Sequence, residues 1–181
     1  MPRLFTALRP PSTALDPLAA RVEAIAPVAE AMVAELRWIP RANWHITLCF
    51  HGEDEVADRW AALRPRLAGL PAPKLRLAGG GTFAGVLWVG VRPAGSAGAT
   101  ALADLAEAAG AEPAEYTAHL TVARWQARPG ARVDTRGLAG LFADYTGEWF
   151  APAEVALLRG EPGPRGPKYH VEQRMSLPGQ Y

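Results

Sequence analysis

Short β-strand patterns alternate with helical patterns along the whole chain, and Pro or Gly separates most of them. Apolar runs predict strands at 4–8, 44–50, 75–77, 86–91, 116–125, 154–158 and 169–177. Helical spacing predicts helices at 17–36, 56–67 and 99–109. The first is capped by Asp16, starts at Pro17, and kinks or restarts at Pro27. The run Gly79-Gly80-Gly81 predicts a turn. This order predicts an α+β fold of largely antiparallel sheets with helices packed outside.

The 181 residues fit one ordinary domain, or two small lobes that share a core. Apolar residues make up 49% of the chain, which is enough to bury a core at this length. The helices at 17–36 and 99–109 each precede a strand with the same histidine motif, which indicates two similar halves that face each other. We therefore expect a single domain over 1–181 with two pseudo-symmetric lobes around a central cleft.

The charge balance limits the partners of the protein. A formal net charge of +1 argues against general coating of nucleic acid and leaves room for a local basic pocket. The single cysteine, Cys49, cannot form an intramolecular disulfide. No apolar run approaches the ~18 residues that span a bilayer, and the N-terminal run is too short for a signal peptide. We expect a cytoplasmic monomer without a membrane partner.

Two segments repeat one pattern, HITLCF from His45 and HLTVAR from His119. Each reads His, aliphatic, Thr, aliphatic. Because side chains alternate between the two faces of a strand, Thr47 shares a face with His45, and Thr121 with His119. The two members of each pair lie roughly 6.6 Å apart along the strand, so that both can approach one small anion. The aliphatic residues between them point into the core.

Two such pairs on opposite walls of a groove suit in-line displacement at phosphorus. One neutral imidazole takes the proton of the attacking oxygen, and the other, as imidazolium, protonates the leaving oxygen. Since the unperturbed pKa of histidine is ~6.5, both forms are accessible near neutral pH. The hydroxyls of Thr47 and Thr121 can donate to the non-bridging oxygens, where negative charge builds up. This chemistry requires no metal and no other cofactor.

A single His-x-Thr on a strand is a weak signal, because an isolated histidine is usually structural or exposed. Two copies with matching spacers, each behind a helix, favour a catalytic pair. A metal site built from His45, His119, His51 or His170 is not expected, since no further ligand follows at a spacing such as H-E-x-x-H.

At these residues the sequence resembles the two-histidine (2H) phosphoesterases, and looks most like their RNA 2′,3′-cyclic phosphodiesterase branch, also called 2′-5′ RNA ligases. The resemblance covers nearly the whole chain, through RLFTAL, WHITLCFHG, VLWVGV, AHLTVARW and VALLRGEPGPRGPKYHV. It implies a bilobal antiparallel fold with the motif residues in a central cleft. It also implies RNA with a 2′,3′-cyclic phosphate end, or a related nucleotide, as the substrate, which is hydrolysed to a 2′-phosphate.

The resemblance implies roles for single residues as well. By analogy His45 would protonate the departing 3′ oxygen as general acid, and His119 would activate water as general base, although the sequence itself does not decide between them. Thr47, Thr121 and Arg124 would bind phosphate. Arg124 lies three residues after Thr121, which is the other face of a regular strand, so its side chain would have to reach over the rim.

Three sites depart from the family pattern. His51 stands where Leu is usual before Gly52, the loop GTFAG lacks the usual Pro-Arg, and Gly160 follows Arg159 where a small hydroxyl residue is common. These sites are expected to border the nucleoside or the RNA strand, so they leave the choice of substrate open.

Other residues have a structural and a functional interpretation. Cys49 is either a small core residue or faces the cleft beyond Thr47, and no nucleophilic role is expected. His51 is expected at the edge of a turn, and His170 at the surface. Tryptophans are expected in the core, although one of them or Phe83 could stack on a base: Trp38, Trp44, Trp88, Trp125 and Trp149. Candidates for backbone phosphates, each more often plain surface, are Arg9, Arg128, Arg159, Arg165 and Lys168.

Three functional hypotheses remain. The first is hydrolysis of RNA 2′,3′-cyclic phosphates, with reversible 2′-5′ RNA ligation as a side activity in which a sugar hydroxyl replaces water as the nucleophile. The second keeps the fold and changes the substrate to 2′-5′ oligonucleotides or ADP-ribose cyclic phosphate. The third is a non-catalytic module that binds RNA ends, against which the intact motif pairs and the low net charge both argue.

Overall fold

An antiparallel sheet with helices is seen in the computed structural model, which describes residues 1–130, 132–164 and 166–179. The helices are α1 (Ser12–Met32), α2 (Val56–Leu67), α3 (Gly95–Ala109) and α4 (Thr135–Gly140), with a 3₁₀ turn at Arg41–Asn43. The strands are β1 (Arg3–Leu8), β2 (Arg37–Trp38), β3 (Ile46–Glu53), β4 (Leu75–Phe83), β5 (Val86–Pro93), β6 (His119–Arg124), β7 (Glu154–Glu161) and β8 (Lys168–Ser176).

The strands form one sheet in the order β4-β5-β6-β3-β1-β7-β8, and β2 pairs with β6. All of these pairings are antiparallel, which confirms the predicted α+β class. None of the helices among the described residues is long and apolar enough to cross a membrane.

The two central strands are joined only briefly. Between β3 and β6 a single register pair is formed, Ile46 with Leu120. Strands β4, β5 and β6 lie on one side of this junction, and β3, β1, β7 and β8 lie on the other. The sheet is continuous across the junction, and the division into two pseudo-symmetric lobes stays a prediction.

The two faces of the sheet differ in what covers them. Ile46, Leu120 and the other core-facing strand residues pack with residues of the helices in one large apolar cluster. A smaller cluster lies on the opposite face and comprises Phe5, Ala7, Ala156 and Leu158, with Tyr169 and Val171 against it. Strict alternation along β1 and β7 produces this division, because successive side chains point to opposite faces.

The first helix begins at Ser12, more than one turn before the predicted start at Pro17. Pro11 is its N-cap residue, and the carbonyl oxygen of Pro11 accepts from the amides of Ala14 and Leu15. Asp16 therefore lies inside the helix, where it forms an ion pair with Arg41 and does not cap. Two prolines lie inside α1, Pro17 and Pro27, because tertiary packing of the apolar stripe outweighs the hydrogen bonds that they remove.

The predicted turn at Gly79-Gly80-Gly81 is wrong, since all three glycines lie within β4. A register irregularity between Leu77 and Gly80 takes up the extra residues, and Gly79 has a positive φ of 68°. The glycines serve close packing here: a Cβ on Gly80 would lie 2.8 Å from Cβ of Phe142.

Some other expectations also need correction. Strand β2 and helix α4 were not predicted, because both are too short to show a clear periodicity. Trp44 and Trp125 are buried as expected, but Trp149 is 41% exposed. Its ring lies over the guanidinium of Arg76, 4.5 Å from the ring centroid, so a cation–π contact holds it at the surface.

Candidate active site

The two motif pairs lie on one face of the sheet. Ile46 and Leu120, each with zero exposure, are a register pair and both point into the large core. Their neighbours His45, Thr47, His119 and Thr121 therefore point to the opposite face, called here the site face. The pairing of β3 with β6 is antiparallel, so one step to either side of the pair Ile46 and Leu120 brings His45 beside Thr121 and Thr47 beside His119. Each half of the chain thus contributes one imidazole and one hydroxyl to the same place.

Both histidines are held by the same backbone contact. Nδ1 of His45 donates to the carbonyl oxygen of Asn43, and Nδ1 of His119 donates to that of Thr117, at 2.7 Å in each case. Since a carbonyl can only accept, Nδ1 carries the proton in both rings. Nε2 is then the free nitrogen, able to accept a proton when the ring is neutral and to donate one when it is charged.

Two aromatic rings flank each imidazole. His45 lies 4.9 Å from Phe5 and 5.2 Å from Tyr169, measured between ring centroids. His119 lies 5.1 Å from Phe83 and 5.9 Å from Trp88. These rings restrict the imidazoles and exclude water from their sides, which preorganises both groups for proton transfer. Phe83 and Trp88 were among the residues considered for stacking on a base.

Gly81 makes room for one of these rings. It is the register partner of Trp88, and a Cβ at Gly81 would lie 2.1 Å from the Trp88 ring. Any side chain at this position would displace the indole and with it the contact to His119. The glycine-rich string is therefore part of the construction of the site.

A β-bulge brings Arg124 onto the site face. Along β6, Thr121 pairs with Trp88 and Ala123 pairs with Leu87, so that Val122 is an extra residue. Val122 and Ala123 are both fully buried, and the alternation of side chains therefore restarts after them. Arg124, which pairs with Val86, consequently points to the same face as Thr121 and Trp88. A regular strand without the bulge would put Arg124 on the opposite face, which is where the sequence pattern alone predicted it.

The surroundings of His45 favour an anion. Burial lowers its pKa to about 4, against the raising effect of the hydrogen bond to Asn43. The charges of Arg124, His119 and Arg9 lower the pKa further. Every charged group that acts noticeably on His45 among the described residues is thus positive. His45 is neutral at pH 7 in the unliganded protein, and a bound anion would offset this positive potential.

A pocket of about 450 Å³ opens beside Thr47 and His119. Phe50 and Phe83, which are 70% and 45% exposed, also line it. Tyr116 forms part of the wall and donates from its hydroxyl to the carbonyl oxygen of Thr47 at 3.1 Å, and burial raises the pKa of this phenol. A pocket of this size with exposed aromatic rings can take a nucleobase next to the two motif residues.

The sequence profile of the 2′-5′ RNA ligase superfamily matches residues 14–161, a span that contains all four motif residues. The chain belongs to this superfamily. No match to a curated protein is found. The superfamily comprises 2H phosphoesterases, so the resemblance noted in the motif strings is confirmed.

Solved structures share the fold over the whole chain. E. coli LigT in complex with ATP is 20% identical, with a TM-score of 0.67 and 98% of each chain covered. The protein TT0787 of Thermus thermophilus is 27% identical, with a TM-score of 0.65, and the match covers 99% of this chain and 100% of that one. E. coli LigT in complex with 3′-AMP is 21% identical, with a TM-score of 0.65 and 98% of each chain covered.

Cys49 is one of the residues that line the pocket beside Thr47 and His119, whereas His51 lies on the other face of the sheet from the motif residues. Cys49 also packs against the large core, and burial raises the pKa of its thiol, which disfavours the nucleophilic thiolate. His51 shares a hydrogen bond of 2.7 Å between its Nε2 and Oγ1 of the fully buried Thr6. Burial and the charge of Arg59 lower the pKa of His51 to about 4. Its expected place as a polar turn residue is wrong, because it anchors a buried hydroxyl.

The other basic residues that were considered as ligands of backbone phosphates differ in their interaction partners. Arg128 is in an ion pair with Glu35, and Arg159 is bonded to Glu172, so carboxylates already neutralise both. Arg9 is exposed, and its charge reaches His45. Lys168 is exposed at the start of β8, His170 lies at the surface as expected, and Arg165 lies outside the described residues.

The residues that hold the two histidines in place could not be identified from the sequence. The carbonyl groups that accept from the imidazoles belong to Asn43 and Thr117, which lie two residues before their histidines and just outside the motif strings. Phe5 and Tyr169 come from strands far apart in sequence. Within the described residues, no group of three or more His, Cys, Asp or Glu side chains could hold a metal ion.

Proposed function

We propose that the protein hydrolyses 2′,3′-cyclic phosphate ends of RNA to 2′-phosphates by two-histidine acid/base catalysis. One observation carries the proposal: His45 and His119 lie on one face of the sheet, held by matching carbonyl contacts that leave both Nε2 atoms free. A symmetric pair of this kind can remove one proton and supply another across a single phosphorus atom.

The proposed reaction consumes one water molecule. His119, as general base, takes a proton from the water that attacks phosphorus. The bond from phosphorus to the 3′ oxygen breaks, and His45, as general acid, protonates that oxygen. The hydroxyls of Thr47 and Thr121 donate to the non-bridging oxygens, and Arg124 neutralises the charge that builds up on them.

The assignment of His45 as general acid and His119 as general base comes from the family resemblance. His45 can act as the acid only if its lowered pKa rises when the substrate binds. A neutral His45 cannot donate a proton, so the bound phosphate must raise its pKa before the leaving oxygen departs. In the reverse assignment a neutral His45 would act as base without this step.

The nature of the ligand has independent support. Structures of E. coli LigT, which has the same fold, contain ATP, 3′-AMP or NADP+. The pocket beside Thr47 and His119 offers two exposed phenylalanine rings for a base. Ligation would be the same displacement with a 5′ hydroxyl of a second RNA in place of water, giving a 2′-5′ linkage.

The test is mass analysis of the product from an oligonucleotide with a 2′,3′-cyclic phosphate end. Wild type should add the mass of one water and yield a 2′-phosphate, which a 3′-specific phosphatase does not remove. His45→Ala and His119→Ala should each lower kcat/KM by about 10² to 10⁴-fold, the usual contribution of one acid or base.

His51→Ala and His170→Ala are the matched controls, since both remove a histidine that lies outside the site. They should retain activity within about twofold of wild type. Near-wild-type turnover in either His45→Ala or His119→Ala would refute the two-histidine mechanism. A 3′-phosphate product would refute the proposed regiochemistry.

A further inference from the structure

A row of basic side chains continues the site face beyond His119. On β5, Gly90 is the register partner of His119, and Arg92 follows two residues later. Arg92 therefore points to the site face, roughly 6.6 Å further along the strand. Its register partner on the neighbouring strand is Arg76, so both guanidinium groups start from the same row of the sheet. Val91, between Gly90 and Arg92, is buried in the core, as this alternation requires.

No carboxylate among the described residues forms an ion pair with either of these two arginines. Like charges at directly opposite positions of a sheet repel each other, and such pairs are unfavourable without a counter-ion. None of the ion pairs between described residues involves Arg76 or Arg92. In the described chain, Trp149 is the one aromatic ring that stacks on Arg76, and it also lies 5.9 Å from the Lys74 ammonium.

Two buried donors on this part of the site face lack a partner. Nε of Arg76 and Nε1 of Trp88 are both buried without a hydrogen bond to any described residue. A buried donor without an acceptor costs free energy, so a native protein usually keeps one for a ligand, a water or an ion. Trp88 lies next to His119, and Arg76 lies at the far end of the row.

The row is continuous with the proposed nucleoside pocket. The amide of Val91 donates to the carbonyl oxygen of Ala118, which keeps Arg92 alongside the segment that leads into His119. Thr117, in the same segment, lines the pocket together with Thr47 and Phe83. A nucleoside in this pocket would carry its 2′,3′-cyclic phosphate at the histidines and extend its 5′ side along the sheet.

We propose that Arg92 and Arg76 form a second phosphate subsite, which binds the phosphate on the 5′ side of the terminal nucleoside. This inference rests on the proposed function, and it defines the substrate class as a nucleotide with two phosphates one nucleoside apart. Trp149 holds Arg76 in place and presents an aromatic face to the next base.

The test compares three substrates: a nucleoside 2′,3′-cyclic phosphate, the same compound with a 5′-phosphate, and a dinucleotide with a 2′,3′-cyclic end. Wild type should prefer the latter two by about tenfold in kcat/KM. Arg92→Ala and Arg76→Gln should each remove most of this preference. Arg64→Ala removes an exposed arginine on α2 and is the matched control. For the dinucleotide, Arg92→Ala should also lower the slope of log kcat/KM against log salt by about 0.7.

The outcomes separate the possible sources of the second phosphate. A higher kcat/KM with both extended substrates means that the subsite binds any phosphate on the 5′ side. A higher kcat/KM with the dinucleotide alone means that it binds only the internucleotide phosphate. An unchanged preference in the Arg76→Gln/Arg92→Ala double variant would overturn the subsite.

A binding measurement keeps this test independent of catalysis. Fluorescence anisotropy with a labelled dinucleotide 2′-phosphate should show about tenfold weaker binding to Arg92→Ala than to Arg64→Ala. If wild type hydrolyses none of the substrates, the proposed function fails, while the anisotropy result still decides on the subsite.

Discussion

The pKa of His45 gives a direct measure of whether this imidazole lies in an anion site. Burial lowers it to about 4. At pH 7 only about one molecule in 10³ then carries a charged His45, and charging it costs about 4 kcal/mol. A single negative charge about 4 Å away, at an effective dielectric constant of about 20, contributes about 4 kcal/mol in the opposite direction. Bound phosphate should therefore raise the pKa of His45 by about 2 to 3 units.

The assay is a proton NMR titration of the histidine ring resonances with and without inorganic phosphate, assigned with His→Gln variants. We expect a pKa of about 4 for His45 in the free protein and, with phosphate bound, a value roughly 2 to 3 units higher. His51 is the internal control, because burial also lowers its pKa to about 4 but it lies on the other face of the sheet, against Thr6. Phosphate should leave its titration unchanged.

Two results would refute this reasoning. An ordinary histidine pKa for His45 in the free protein would show that burial and the positive neighbours do not control it. An equal response of His45 and His51 to phosphate would show that the effect is general screening and not binding at the site. If the pKa of His45 stays near its lowered value with phosphate bound, His45 is the better candidate for general base, and the acid and base labels are reversed.

The same geometry supports four further predictions. Turnover in EDTA should equal turnover in its absence, since both proton transfers use imidazoles; a loss that a divalent metal restores would contradict this. Arg124→Gln should lower kcat/KM for the cyclic phosphate by about 10- to 100-fold, the worth of a charge-assisted hydrogen bond, whereas Arg64→Gln should not. Gly81→Ala should change the fluorescence of Trp88 and lower turnover, because the added Cβ displaces the indole; unchanged spectra and rates would exclude this packing role. Because the folded state lowers the pKa of His51, the unfolded state binds more protons, and the free energy of unfolding falls as the pH drops from 6.5 towards 4. With His51 half-buried, urea unfolding should show that His51→Gln loses about 1 kcal/mol less stability than wild type between about pH 7 and pH 5. An equal loss of stability in variant and wild type would contradict the lowered pKa of His51.

Much of the site could be predicted from the sequence because it depends on short-range geometry. The alternation of side chains along a strand puts His45 with Thr47, and His119 with Thr121, wherever the strands end up. The buried Ile46 and Leu120 confirm this parity. The α+β class followed equally from local periodicities, which reflect the burial of one face of each element.

Local patterns failed where a contact from another part of the chain decided the outcome. The glycines at 79–81 resemble a turn, but they lie in a strand because Phe142 and Trp88 need the space above them. Pro11, and not Asp16, begins the first helix, because the chain leaves β1 and packs its apolar stripe from that point. Trp149 has the side chain of a typical core residue, yet Arg76 keeps it at the surface.

The sequence by itself determined that two imidazoles and two hydroxyls occur as matched pairs, each pair on one face of a strand. Only the tertiary structure decided that the pairs share a face, through the one register contact between β3 and β6. Only the tertiary structure also decided that Arg124 joins them, because a bulge at Val122 shifts the alternation by one residue. A bulge depends on the partner strand and on what is buried beneath it, and neither can be read from the strand's own residues.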